Sequence, residues 1–154
     1  MSINQLKKSL ALVAVALLCA FSSNAQETFE KGKLYHIYGA GETENLVAEK
    51  MGEMAGLVNY DKEDPTIYWK ISELSGSWRI INPVTNNALR VNGNIVEVGE
   101  NNGSDEAQLW KFENGLLIPA NSPTLAVAKG KNGTLVVIKR ERAENMRAAK
   151  FKIQ

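Results

Sequence analysis

The chain has 154 residues, a length that suits one domain with a substantial hydrophobic core. Its 18 basic and 17 acidic residues nearly cancel, which excludes a strong electrostatic footprint for nucleic acid. Cys19 is the single cysteine, so no disulfide forms within the chain and stability must come from packing.

Residues 1–25 differ in material from the rest. Lys7 and Lys8 precede an apolar run from Ser9 to Phe21, and Ser23-Asn24-Ala25 follows with small residues at its ends. This is the order of a cleaved export signal: a basic start, an apolar centre and a small-residue cleavage site. As a helix the run would span only about 20 Å against roughly 30 Å of hydrocarbon, too short for an anchor. The expectation is a mature domain over residues 26–154, periplasmic or secreted, with no membrane span. Cys19 is preceded by Leu18 and not by the small residue of lipoprotein signals, so it reads as discarded with the signal; a lipidated Cys19 is the alternative. Without Lys7 and Lys8 the balance is 16 basic against 17 acidic residues.

From there the chain repeats. First strands are expected at Tyr35–Tyr38, Trp78–Ile81 and Leu116–Ile118, and second strands at Leu46–Ala48, Leu89–Val91 and Leu125–Val127. Third strands follow at Leu57–Tyr60, Ile95–Val98 and Leu135–Ile138. Each copy closes on an aromatic-Lys-apolar segment: Trp69-Lys70-Ile71, Trp110-Lys111-Phe112 and Phe151-Lys152-Ile153. The three aromatics are 41 and 41 residues apart, and apolar residues flanking an outward Lys mark a half-buried strand. Asn-, Gly- and Pro-rich turns separate the runs, and only Glu44 to Met54 and Glu141 to Ala149 suggest a turn of helix. Two Asn-Gly turns, Asn102-Gly103-Ser104 and Asn132-Gly133-Thr134, also match the N-glycosylation pattern.

Three copies, at about 33–73, 76–114 and 115–154, cannot bury their apolar faces singly and must share one core. Twelve short strands are too few for a propeller, which needs about four blades or more. The expected fold is all-β: a three-fold pseudosymmetric barrel capped by hairpins, the β-trefoil.

In the second copy, Gln108-Leu109-Trp110 together with Asn87-Ala88-Leu89-Arg90-Val91 resembles the Gln-x-Trp motif and second strand of ricin-type β-trefoil lectins. The resemblance implies carbohydrate binding without catalysis. It also implies altered pockets. Where sugar-binding members carry an Asp in the second strand, this chain has Val47, Arg90 and Ala126; where they carry a stacking aromatic, the second and third copies have Gly99 and Lys139. Their Asn before the motif Gln is Ala107 here.

Several residues invite a ligand role. Trp69, Trp110 and Phe151 keep strict alternation with Lys and read as core. Gln108 is expected to bond backbone within its own repeat. Asn59, Tyr60 and Asp61 combine a flat ring with a carboxylate and an amide, the pairing a sugar requires. Arg90, with Asn101, Asn102 and Asp105, forms a second candidate set, which would favour an acidic sugar; a surface Arg90–Asp105 ion pair is the plainer alternative. His36, the only histidine, has no His or Cys partner, so no metal site and no catalytic triad is expected around it. Arg140-Glu141-Arg142 and Arg147 read as a solvated loop. The function expected is an exported, non-catalytic carbohydrate-binding module without a cofactor, with a carbohydrate or glycoconjugate as partner. The rival is a trefoil that binds a protein and no sugar.

Overall fold

The computed structural model describes residues 27–39 and 45–154. The export signal, Lys7, Lys8, Cys19 and the cleavage site lie outside these residues. The first copy contains β1 (Leu34–Tyr35), β2 (Ile37–Tyr38), β3 (Asn45–Lys50), β4 (Met54–Asn59) and β5 (Trp69–Leu74). The second contains β6 (Ser77–Ile81), β7 (Asn87–Asn92), β8 (Ile95–Glu100) and β9 (Trp110–Glu113). The third contains β10 (Leu116–Pro119), β11 (Leu125–Lys129), β12 (Leu135–Lys139) and β13 (Lys152–Ile153). β1 and β2 are one strand that changes partner at His36, whose N–H and C=O both bond to Gln154 at 2.9 and 3.0 Å. Twelve strand positions result, as the repeat requires.

Six of these positions close a barrel. β1 pairs with β5, β5 with β6, β6 with β9 and β9 with β10, all antiparallel. The Phe151 N–H then donates to the Gly115 carbonyl at 2.8 Å, and β13 pairs back to β2. The remaining strands form three hairpins, β3–β4, β7–β8 and β11–β12. These meet in a triangle through Met54 opposite Glu97, Ile95 opposite Val136, and a bridge from Gly56 to Thr134. A six-stranded barrel closed at one end by three hairpins is a β-trefoil.

Local sequence dictates the corners. Ser75-Gly76 and Asn114-Gly115 carry the chain from one copy to the next, all four with positive φ (53°, 79°, 51° and 76°). That pair of left-handed residues suits a two-residue hairpin turn whose twist matches the flanking strands. Before each of the first two aromatic strands lies a 3-10 turn, Pro65–Ile67 and Glu106–Gln108. Asp64 caps the first by accepting from the Thr66 N–H (2.8 Å), and Asp105 caps the second by accepting from the Ala107 N–H (3.0 Å).

The core repeats with the chain. Ile37, Ile80 and Leu117 form one set; Val47, Leu89 and Val127 a second; and Trp69, Trp110 and Phe151 a third, all buried in a single cluster. The two tryptophans also bond alike: Trp69 Nε1 donates to the Val47 carbonyl (2.8 Å) and Trp110 Nε1 to the Leu89 carbonyl (2.9 Å). Phe151 has no such donor. At the barrel end that the hairpins leave open, Phe29 packs edge-on against Tyr35 (5.3 Å) and Trp78 (4.8 Å), while the Glu30 N–H donates to the Tyr35 hydroxyl (2.8 Å).

One expectation is corrected. The stretch expected as a helical turn near Glu44 to Met54 is a hairpin, β3 turning through residues 51–53 into β4; Glu44 itself lies outside the described residues. Gly52 and Glu53 take φ of 75° and 63°, which breaks a helix and suits a turn. The second expected turn is present, as α1 (Arg140–Ala143) and the 3-10 turn Arg147–Ala149.

Candidate functional site

In the first copy, β2, β4 and the strap before β5 bring four rings to one outer face. Alternation along the first strand sends Tyr35 and Ile37 into the core and His36 the other way. The His36 ring tilts against Tyr68 at 4.7 Å and meets Tyr60 edge-on at 5.6 Å and Tyr38 at 6.0 Å. Burial of the imidazole lowers its pKa, so the ring is neutral at physiological pH. Its Nε2 is buried without a hydrogen-bond partner among the described residues.

Tyr60 emerges from the end of β4 just after the exposed Asn59, and is 49 % exposed. The loop beyond it is built by local bonds. Asp61 Oδ1 accepts from the Glu63 N–H (3.0 Å), the Asp61 carbonyl accepts from the Asp64 N–H (3.0 Å), and the Tyr68 hydroxyl donates to the Lys62 carbonyl (3.3 Å). An uncharged aromatic face therefore stands beside an exposed carboxylate. Such a face can stack on the apolar side of a sugar ring while Asp61 accepts from its hydroxyls.

The second candidate set does not assemble. Arg90 lies opposite Glu97 across β7–β8 and donates to Glu97 Oε1 from Nε (2.9 Å) and Nη2 (2.6 Å). Its guanidinium lies over Gly99, where an added Cβ would come within 2.9 to 3.1 Å of it. Neither the convergence of Arg90 with Asn101, Asn102 and Asp105 nor the Arg90–Asp105 ion pair forms. The cross-strand carboxylate is nearer in the register, and the missing side chain at Gly99 gives the arginine a bed.

Arg79 holds those loop residues instead. Its Nη2 donates to Gln108 Oε1 (3.0 Å) and to Asn101 Oδ1, and Asn101 Nδ2 passes a bond on to Asn86 Oδ1 (3.1 Å). Gln108 is buried; it also accepts from the Asn102 N–H (3.0 Å) and donates to the Glu100 carbonyl (2.7 Å). Burial lowers the Arg79 pKa and the nearby Asp105 raises it. These bonds brace the loop of the second copy and leave Arg79 Nε buried without a hydrogen-bond partner among the described residues. The sequence signal for Arg79 was its outward position on β6, one residue from the core-facing Ile80.

In the third copy a cleft of about 510 Å³ opens between the start of β11 and α1, at residues the sequence reading did not single out as a site. Among the described residues there is no cluster of His, Cys, Asp and Glu that could hold a metal, and no helix long and apolar enough to cross a membrane.

No family model matches the sequence, and no curated protein does either. Solved structures do match. The chain superposes on the designed three-fold symmetric protein ThreeFoil with a TM-score of 0.62 at 12% identity, over 78% of this chain and 96% of that one. A Polyporus squamosus lectin, solved with a human-type influenza-binding epitope, gives 0.65 at 14% identity over 82% of this chain and 50% of the lectin. A Clostridium perfringens endo-β-galactosidase gives 0.67 at 12% identity over 78% of this chain and only 31% of the enzyme. This chain thus spans about a third of that enzyme and half of that lectin. At such identities the likeness establishes the β-trefoil fold.

Proposed function

We propose that this protein is an exported, non-catalytic carbohydrate-binding module of the ricin-type, lectin-like kind, and that the first copy carries its binding face. The observation behind the reading is the half-exposed Tyr60 ring next to Asp61, braced by His36, which itself rests on Tyr68. The Gln-x-Trp segment at Gln108–Trp110 and the trefoil fold that this chain shares with a fungal lectin support it. Stacking and hydrogen bonding are what such a face offers, which suits recognition without chemistry. Export to the periplasm or beyond rests on the signal-like residues 1–25.

Glycan-array screening followed by calorimetry on the exported chain tests the proposal. Binding of a glycan that weakens about tenfold in Tyr60→Ala, with an unchanged circular dichroism spectrum, is the expected result. No binding to any neutral or acidic glycan would overturn it. The second copy favours the rival reading, a protein-binding trefoil, because its sugar position is filled by Arg90 and Glu97 of the chain itself. Affinity capture that returns one stoichiometric protein, with no glycan bound, would establish that rival.

A further inference from the structure

The sulfur chemistry of the described residues belongs to Met51, Met54 and Met146, because Cys19 lies outside them. The three stand in different surroundings. Met146 follows α1 and packs against the third-copy cluster of Leu116, Ile118 and Ala149. Met51 and Met54 lie at the β3–β4 turn instead, 95 % and 48 % exposed. The turn itself is fixed. Gly52 and Glu53 take φ of 75° and 63°, and the Glu53 carbonyl accepts from the Val98 N–H (2.8 Å). Lys50, the long side chain beside Met51, is folded over Gly56, where an added Cβ would fall 2.8 Å from its Cε and 2.9 Å from its Nζ. The pseudosymmetry shows what a polar group at Met54 meets. Met54 lies opposite Glu97, Ile95 opposite Val136 and Thr134 opposite Gly56, so Met54, Ile95 and Thr134 hold the same place in the three hairpins. The third copy fills that place with a hydroxyl, which donates to the Lys131 carbonyl (2.7 Å), and the triangle of hairpins still closes.

We propose that the β3–β4 turn is a reversible oxidation site, where a peroxide converts Met51 and then Met54 to the sulfoxide while the fold is kept. The thioether sulfur attacks one peroxide oxygen and the O–O bond breaks. The sulfur gains that oxygen and gives up two electrons, and the rest of the peroxide leaves as water or an alcohol. A dithiol reductant reverses the step: two thiols become a disulfide and the oxygen leaves as water. Oxidation turns a flexible apolar side chain into a polar one, so its cost depends on what surrounds the sulfur. At Met51 the new oxygen meets solvent, and at Met54 it enters a place that accommodates Thr134 in the third copy. Met146 keeps its sulfur against an apolar cluster, so the same oxidant reaches it last. The site is independent of Tyr60 and of the carbohydrate reading.

Timed treatment of the exported chain with hydrogen peroxide, followed by peptide mass mapping and circular dichroism, tests the site. The expected result is one oxygen at Met51 first and a second at Met54, with Met146 about tenfold slower than Met51. The doubly oxidised chain should keep the spectrum of the untreated one. Incubation with methionine sulfoxide reductases for both sulfoxide epimers and dithiothreitol should then restore the starting mass. Met51→Leu should lose the fast oxygen and keep the slower uptake at Met54, and Met54→Leu should do the converse. Oxidation of Met146 as fast as that of Met51 would overturn the site. A spectrum that collapses once Met54 carries oxygen would overturn its tolerance by the fold, and a mass that the reductases leave unchanged would overturn its reversibility.

Discussion

His36 shows how much one side chain gains from its neighbours. It sits where the first strand changes partner, and its ring is walled by Tyr38, Tyr60 and Tyr68. Burial lowers its pKa below the ordinary value of about 6.5, so the unfolded chain binds a proton there more readily than the folded one. The resulting contribution is fully present above pH 6.5 and is lost as pH falls from there through the lower folded value. Thermal melts from about pH 8 to pH 5 should show this loss in the wild type and not in His36→Phe, which keeps the ring packing. Equal falls in the two proteins would remove the assignment. At this scale the sequence was legible where one strand decides the outcome: alternation separates His36 from Tyr35 and Ile37, and places Trp69 and Trp110 in the core. It was illegible where two strands decide. The destination of Arg90 depends on Glu97, the residue opposite, and on the bare backbone at Gly99, and neither follows from a motif.

Among elements, the turns carry the most information. Asn114-Gly115 and Ser75-Gly76 do the same job between successive copies, each with two left-handed residues. Asn tolerates that conformation better than Ser, because its side chain can bond locally. Ser75→Asn should therefore stabilise the protein by about 0.5 kcal/mol, seen as a higher urea midpoint with an unchanged slope. The strands themselves were readable from period-2 patterning, and the third-copy helical turn from Glu141 to Ala149, although Arg140-Glu141-Arg142, read as a solvated loop, forms the helix itself. The misread stretch near Glu44–Met54 shows the limit of that patterning. Glu49, Lys50 and Met51 are good helix formers, yet Leu46 and Ala48 bury against Ile67 while Val47 buries in the main core, an alternation that only a strand permits.

For the whole molecule, the 41-residue interval between Trp69, Trp110 and Phe151 made the architecture legible, because three equal units have few ways to share one core. The candidate site was less legible because it lives in a departure from that symmetry, the Tyr60 ring of one copy. The symmetry also leaves a need that no repeat supplies. The open barrel end is covered by Phe29, from the segment before the first copy, resting on Tyr35 and Trp78. Phe29→Ala should lower stability by about 2 kcal/mol in urea titration, somewhat under the cost of removing a fully buried ring. A value near zero would mean that the ring adds nothing to the barrel.

The bonds between His36 and Gln154 have a temporal meaning as well. β2 closes the barrel only against β13, so the first strand of the repeat array waits for the last one to be made. Until then the nascent chain holds unpaired strand edges and a gap beside Gly115. A topology so rich in distant contacts folds slowly, and incomplete sheets of this kind are prone to aggregate. Closure late in synthesis leaves the polypeptide slack until its last strand has been made.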